Sequence, residues 1–192
     1  MPEISAARVL IVATDGFEEW ELFGPREILQ KRGAEVTLAS PELSPIQATV
    51  HDDPGKTIRP DLTLEQADAA DFDALVLPGG VRNPDTLRLN DKAIALIRAF
   101  ADLGKPIGAI CHGPWLLVEA DLIRGKKVTG WPSIWTDLKN AGGNVVDEAA
   151  VTDGNIVTSR NPDDVEPFTA ALISLIEKAP ACTERQPSEV IA

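Results

Sequence analysis

Four short apolar runs punctuate the chain: Val9-Leu10-Ile11-Val12-Ala13, Val36-Thr37-Leu38-Ala39, Ala74-Leu75-Val76-Leu77 and Pro106-Ile107-Gly108-Ala109-Ile110. They show no in–out alternation, so each is predicted to be a strand buried on both faces, as in a parallel sheet. Between the first two, Glu18 to Lys31 reads as helical and closes at Gly33, where a left-handed cap suits glycine. Pro25 is expected to break that stretch, with Gly24-Pro25 opening a second helical piece. Asn90-Asp91 marks another helix start, Ala93, Leu96, Ile97, Phe100 and Leu103 recur at three- and four-residue spacing, and Gly104 ends the pattern. The last helix is the clearest: Asn161 is its expected cap, Pro162 its first residue, and Val165, Phe168, Leu172, Leu175 and Ile176 form one apolar face.

Strand and helix in alternation predict an α/β fold with a doubly wound, mostly parallel sheet sandwiched by helices. Two excursions interrupt it. Residues 47–64 read as short antiparallel pieces split by Asp53-Pro54-Gly55, and Val151-Thr152, Asp153-Gly154 and Ile156-Val157-Thr158 read as a hairpin. Residues 1–180 are expected to form a single domain, and the polar, patternless tail 181–192 is expected to be loose.

Charge and cysteine usage narrow the function. Lys and Arg total 18 against 30 Asp and Glu, a formal net charge of −12, which argues against non-specific nucleic-acid or anionic-membrane binding. No apolar run approaches the roughly 20 residues of a membrane span, and Met1-Pro2-Glu3-Ile4-Ser5 lacks the basic and apolar regions of a secretory signal. Two cysteines make a disulfide framework implausible and point to a reducing cytoplasm; with only two histidines there is little material for a metal site.

Ligands in open α/β sheets bind beyond the carboxyl ends of the strands. That rule selects Asp15-Gly16-Phe17-Glu18, the loop after Ala39, Pro78-Gly79-Gly80-Val81 and Cys111-His112-Gly113-Pro114. The last is the sharpest. Cys111 directly follows a buried strand, Gly113-Pro114 opens the next helix, and Ala109-Ile110-Cys111-His112-Gly113 has the small-x-nucleophile-x-Gly spacing of a nucleophile elbow. A helix N-terminus there is expected to lower the thiol pKa. A structural cysteine at a strand end is the alternative; the elbow spacing and the adjacent His112 favour the nucleophile. Cys182, in the tail, carries no pattern. Among the tryptophans, Trp115 is the expected pocket residue, and His51 reads as a loop histidine.

The runs Ala109-Ile110-Cys111-His112-Gly113-Pro114, Ala74-Leu75-Val76-Leu77-Pro78-Gly79-Gly80 and Gly16-Phe17-Glu18-Glu19 resemble the PfpI family, from about Arg8 to Lys178. These are intracellular cysteine peptidase-like stress proteins of the class I glutamine amidotransferase-like superfamily, to which protein deglycases also belong. The resemblance implies a flavodoxin-like sheet, no cofactor, and a homo-oligomer whose active site is shared between subunits. It places Glu18 as the carboxylate beside Cys111; the alternative for Glu18 is a charge favouring a helix N-terminus. It makes Gly80 and His112 N–H groups the oxyanion donors, the alternative for Gly79-Gly80 being a simple tight turn. It makes His112 the base, completed by an acidic residue of another subunit at the position of Asp85. Asp85 reads equally as a turn residue after Pro84, and it replaces a longer glutamate with altered spacing. The His-x-Glu pair of class I glutaminases has no counterpart in Ser159-Arg160-Asn161-Pro162-Asp163, so amide transfer from glutamine is not expected.

Two functions follow. One is a cysteine hydrolase acting on a small carbonyl substrate or peptide, including glycation adducts and 2-oxoaldehydes such as methylglyoxal. The other is a redox-sensing or chaperone-like stress protein whose Cys111 is oxidised to sulfinate.

Overall fold

The four apolar runs lie side by side in one sheet. The computed structural model describes residues 3–51 and 53–179; Cys182 and the tail 181–192 lie outside the described residues. After a 3₁₀ turn at Ile4–Ala6 come β1 (Arg8–Val12), β2 (Phe17–Glu18), α1 (Glu19–Lys31), β3 (Glu35–Ser40), β4 (Ile46–Val50), β5 (Asp53–Ile58) and β6 (Leu62–Thr63). Then follow β7 (Ala74–Leu77), α2 (Arg82–Leu87), α3 (Asp91–Asp102), β8 (Ile107–Ile110), α4 (Pro114–Glu119) and β9 (Lys127–Val128). The series ends with α5 (Trp135–Asn140), β10 (Asn144–Val145), β11 (Ala150–Asp153), β12 (Ile156–Ser159) and α6 (Val165–Lys178).

The main sheet has seven strands in the order β11-β12-β8-β7-β1-β3-β6, and only β11 runs antiparallel to its neighbour. Alternate residues of the same strands feed two cores. Leu10, Val12, Leu75 and Leu77 pack with Ile97, Phe100, Leu116 and Leu117 of α3 and α4. Val9, Ile11, Ala74 and Val76 pack with Leu22, Leu29, Phe168 and Leu172 of α1 and α6. Both faces are covered, which is why the runs are apolar without alternation. No helix among the described residues is long and apolar enough to cross a membrane.

Several boundaries differ from the sequence reading. α1 is continuous through Pro25; the proline removes one hydrogen bond, to the Glu21 carbonyl, but it is buried with Gly24 against α6 and packing holds the helix together. In the 47–64 excursion Asp53-Pro54-Gly55 is strand rather than divider: β4 and β5 pair antiparallel, and His51, at φ +58°, stands at the turn. In the hairpin, Asp153 pairs with Ile156, so the turn is Gly154-Asn155. The start of α3 holds: Asn90 Oδ1 accepts from the N–H of Lys92 and Ala93 at 3.0 and 3.1 Å. Asn161 Oδ1 accepts Asp163 N–H at 3.0 Å but caps a 3₁₀ turn, Pro162–Asp164, and α6 itself begins three residues later than expected, at Val165.

Candidate active site

Three loops converge at the carboxyl ends of β1, β7 and β8. Cys111 is the first residue after β8 and takes φ +61°, a conformation that L residues avoid at a cost of about 1–2 kcal/mol. The bend is held from both sides. Cys111 N–H donates to the Ser159 carbonyl at 3.0 Å, and the Cys111 carbonyl accepts Trp131 N–H at 2.8 Å. The sulfur is thereby turned away from the sheet, toward a cavity of about 240 Å³ that Cys111 lines with Glu18, Glu21, His51, Gly80 and Trp131, among others.

The carboxyl that meets the thiol belongs to Glu21, and the expectation that Glu18 fills this role is corrected. Glu21 is wholly buried; its Oε2 accepts Gly79 N–H at 2.8 Å, and the carboxyl interacts with the Cys111 side chain. Gly79 permits this closeness, since a Cβ there would lie 2.5 Å from Glu21 Oε2 and 2.7 Å from Cys111 Cβ. Glu18, the last residue of β2, is half-buried at the cavity rim, where its Oε2 accepts His51 N–H at 3.2 Å. The reason is geometric. Glu18 precedes the helix, whereas Glu21 shares the buried face of α1 with Pro25 and Leu29, and that face looks onto the elbow.

Gly80 has φ +74°, and a Cβ on it would collide with the Gly16 carbonyl, 2.1 Å away. This posture turns its N–H toward the Cys111 sulfur, which the N–H of His112 also faces. The loop is fixed by Asn83, a fully buried residue that sequence reasoning passed over. Its Oδ1 accepts Thr14 N–H at 2.8 Å, and its Nδ2 donates to the carbonyls of Pro78 and Gly79 at 2.9 and 3.1 Å. One amide thus ties the loop after β1 to the loop after β7.

His112 Nδ1 lies 3.2 Å from Cys111 Sγ, so adjacency in sequence becomes adjacency in space because the elbow is not helical. Its Nε2 lies 3.3 Å from Ser133 Oγ. Asp85 is exposed on α2 and is neither among the residues lining the cavity nor bonded to His112 in the same chain. Trp131 lines the cavity, in place of the expected Trp115. Trp115 touches His112 edge-on and donates its Nε1–H to Asp137 Oδ2 at 2.9 Å. His51, read as a loop histidine, stands on the cavity wall.

Burial sets the protonation states. It raises Glu21 from 4.5 to about 8, against hydrogen bonds to Cys111, Gly79 and Gly80 that favour the anion. Glu21 therefore keeps its proton at neutral pH and can donate it toward sulfur. Burial pushes the Cys111 thiol up, an ionised Glu21 would push it further, and the N–H groups of Gly80 and His112 pull it down. The expected lowered thiol pKa is thus corrected: desolvation outweighs the amides and the short helix α4. Burial also lowers His112, keeping the ring neutral, and raises Glu18. Among the described residues no cluster of three His, Cys, Asp or Glu side chains is placed to hold a metal ion.

Sheet, elbow cysteine and facing glycine loop define a class: doubly wound α/β proteins with a cysteine at the bend after a central strand. The chain belongs to the DJ-1/PfpI family, whose model matches residues 7–175. It is 41% identical over 169 residues to a deglycase of Thermococcus kodakarensis, covering 88% of this chain and 99% of that one. It is 37% identical over 179 residues to protein/nucleic acid deglycase 2 of Escherichia coli, covering 88% and 97%. Drosophila melanogaster DJ-1beta superposes with a TM-score of 0.80 at 28% identity, over 90% of this chain and 95% of that one.

Proposed function

We propose that the protein is a cysteine hydrolase for carbonyl substrates of the kind that deglycases process, with Cys111 as nucleophile. The observation that carries this reading is the Cys111 side chain held at φ +61° on a cavity floor, 3.2 Å from His112 Nδ1 and facing the N–H groups of Gly80 and His112.

The resting pair is a thiol beside a neutral imidazole. His112 Nδ1 takes the thiol proton as sulfur adds to the substrate carbonyl carbon, and the C=O electron pair moves onto oxygen. The N–H groups of Gly80 and His112 hold that oxyanion, a contribution worth about 3 kcal/mol per donor in comparable sites. With a peptide or an acyl adduct, the oxyanion collapses, the C–N bond breaks, and the amine leaves with the proton from His112. Water then attacks the thioester, giving up a proton to His112, and releases the acid and the free thiol. Glu21, protonated, donates a hydrogen bond to sulfur and lowers the cost of its negative charge in a buried site. Glu18 and Trp131 line the entrance. A second cavity of about 520 Å³ adjoins this one and shares His51 and Val81 in its lining.

The test compares wild type with Cys111→Ser on methylglyoxal, a glycated amino acid and a fluorogenic peptide. Turnover of at least one, abolished by the substitution, is the expected result. Absence of turnover with mass gain at Cys111 under peroxide would replace this reading by the redox-sensing one, which the Glu21–Cys111 pairing also suits. On the arrangement that the sequence resemblance implies, Asp85, exposed on α2, serves a second copy of the chain. In that arrangement the active unit is a homo-oligomer, and Asp85→Asn lowers turnover while the fold is kept.

A further inference from the structure

The imidazole of His112 is held by α4 and by one short segment, Trp131 to Ser133. Trp131 stacks on it at 6.1 Å between ring centroids with planes 26° apart, and Trp115 meets it edge-on at 5.2 Å. Ser133 Oγ stands 3.3 Å from Nε2, on the far side of the ring from the thiol. Trp131, Pro132 and Ser133 are consecutive, and the Trp131 N–H bonds the Cys111 carbonyl at 2.8 Å, so the segment carrying Ser133 is anchored to the elbow itself.

We propose that Ser133 is the positioning residue of His112 within its own chain. The inference rests on the reading of His112 as the base and adds what fixes its tautomer. To accept the thiol proton, Nδ1 must be bare, so the neutral ring must carry its hydrogen on Nε2. A hydroxyl oxygen 3.3 Å from Nε2 accepts that hydrogen, while its own proton is free to point to solvent, since Ser133 is exposed. The hydroxyl also serves the imidazolium, whose Nε2–H still donates to it. Unlike a carboxylate it adds no charge, so the hydroxyl itself does not offset the burial that lowers the ring. The titratable groups that line the cavity with the ring are Cys111 on its own turn, Glu18 and Glu21 from the β2–α1 segment, and His51 from the β4–β5 turn. None of them lies within hydrogen-bond distance of Nε2.

The test is ¹⁵N NMR of the histidine rings across pH, in wild type and in Ser133→Ala, Ser133→Thr, Ser133→Asp and Asp85→Asn, with His51→Gln to assign the two rings. Wild-type His112 is expected as the Nε2–H tautomer with a single sharp titration. Ser133→Ala should mix the tautomers, Ser133→Thr should restore the wild-type spectrum, and Ser133→Asp should raise the midpoint by about one unit or more. In turnover, Ser133→Ala should lower kcat about 3- to 10-fold with KM little changed. A Ser133→Ala protein with wild-type tautomer and midpoint overturns the proposal, as does a tautomer shift seen in Asp85→Asn alone; Ser133→Gly serves if the alanine variant folds poorly. The spectra decide the matter whether or not any substrate is turned over, so failure of the hydrolase reading is seen separately in the turnover assay.

Discussion

The Glu21 carboxyl meets the Cys111 thiol from inside helix α1, while Glu18, three residues earlier, reaches only the His51 N–H at the cavity rim. The two carboxylates are therefore expected to differ sharply in function. Glu21→Gln keeps the shape and the Gly79 bond but cannot ionise or lend its proton to sulfur; turnover should fall about 10-fold, and about 100-fold in Glu21→Ala, which also loses the packing. Glu18→Gln should stay within about 3-fold of wild type. Steady-state rates on one turned-over substrate check this, and equal losses at both positions would refute the assignment.

Glu21 also ties stability to pH. Its carboxyl titrates at about 8 in the folded protein against 4.5 ordinarily, so between those values the folded state binds a proton that the unfolded state has released. Stability contributed by the protonated group is complete below about 4.5, declines as pH rises through the window, and is gone above about 8. Glu18, also raised, adds a decline of the same sign, and His112, lowered by burial, opposes it in its own range. The difference between wild type and Glu21→Gln isolates the one group. Urea midpoints taken at pH 5, 6.5 and 8 should fall more steeply in wild type than in the variant, and parallel curves would count against a buried protonated Glu21.

The sheet was legible because both of its faces are buried, so β1, β3, β7 and β8 announce themselves as unbroken apolar runs. The elbow was legible because the bend at Cys111 requires small neighbours. What escaped depends on helix phase and on loops. Glu21 carries a signal in retrospect: it lies four residues before Pro25 and eight before Leu29, on the buried face of α1, where an unpaired carboxylate is anomalous. Asn83 and Ser133 carry none, since an amide in the first turn of a short helix or a hydroxyl in a 3₁₀ turn is ordinary until the fold shows what it touches. The region from β9 to β10 has too little periodicity to predict, and Pro25 misleads because packing against α6 overrides a local preference.

Asn83 gives a prediction about the loop rather than the chemistry. Asn83→Ala leaves the Thr14 N–H and the Pro78 and Gly79 carbonyls without their partner in a buried place, which should cost about 2–4 kcal/mol of stability. The Gly80 N–H is carried by the same loop, so kcat should fall about 10-fold while KM changes less. Asn83→Asp separates the two roles of the amide, because a carboxylate can accept from Thr14 but cannot donate to the carbonyls, and it should be no better than alanine. Unfolding curves and kcat together check this. A variant that loses stability but keeps its full kcat would show that the loop needs no pin for the oxyanion donor to stay in place.

Gly79 allows the sharpest test of how close Glu21 and Cys111 must be. Its backbone is not in the left-handed region, so alanine there brings no conformational penalty of that kind and acts through contact alone. The new methyl would sit 2.5 Å from Glu21 Oε2, 2.7 Å from Cys111 Cβ and 2.8 Å from the Ile110 carbonyl; the last two are fixed by the backbone, so the Glu21 carboxyl is the group that must give way. Overpacking of this kind costs about 1–3 kcal/mol, and it must separate the carboxyl from the sulfur or tilt the Gly79 N–H away from Oε2. Gly79→Ala should therefore resemble Glu21→Gln in turnover, and the double variant should lose little more than either alone, because both remove the same interaction. Additive losses in that double-mutant cycle would mean that Gly79 and Glu21 act on the thiol independently.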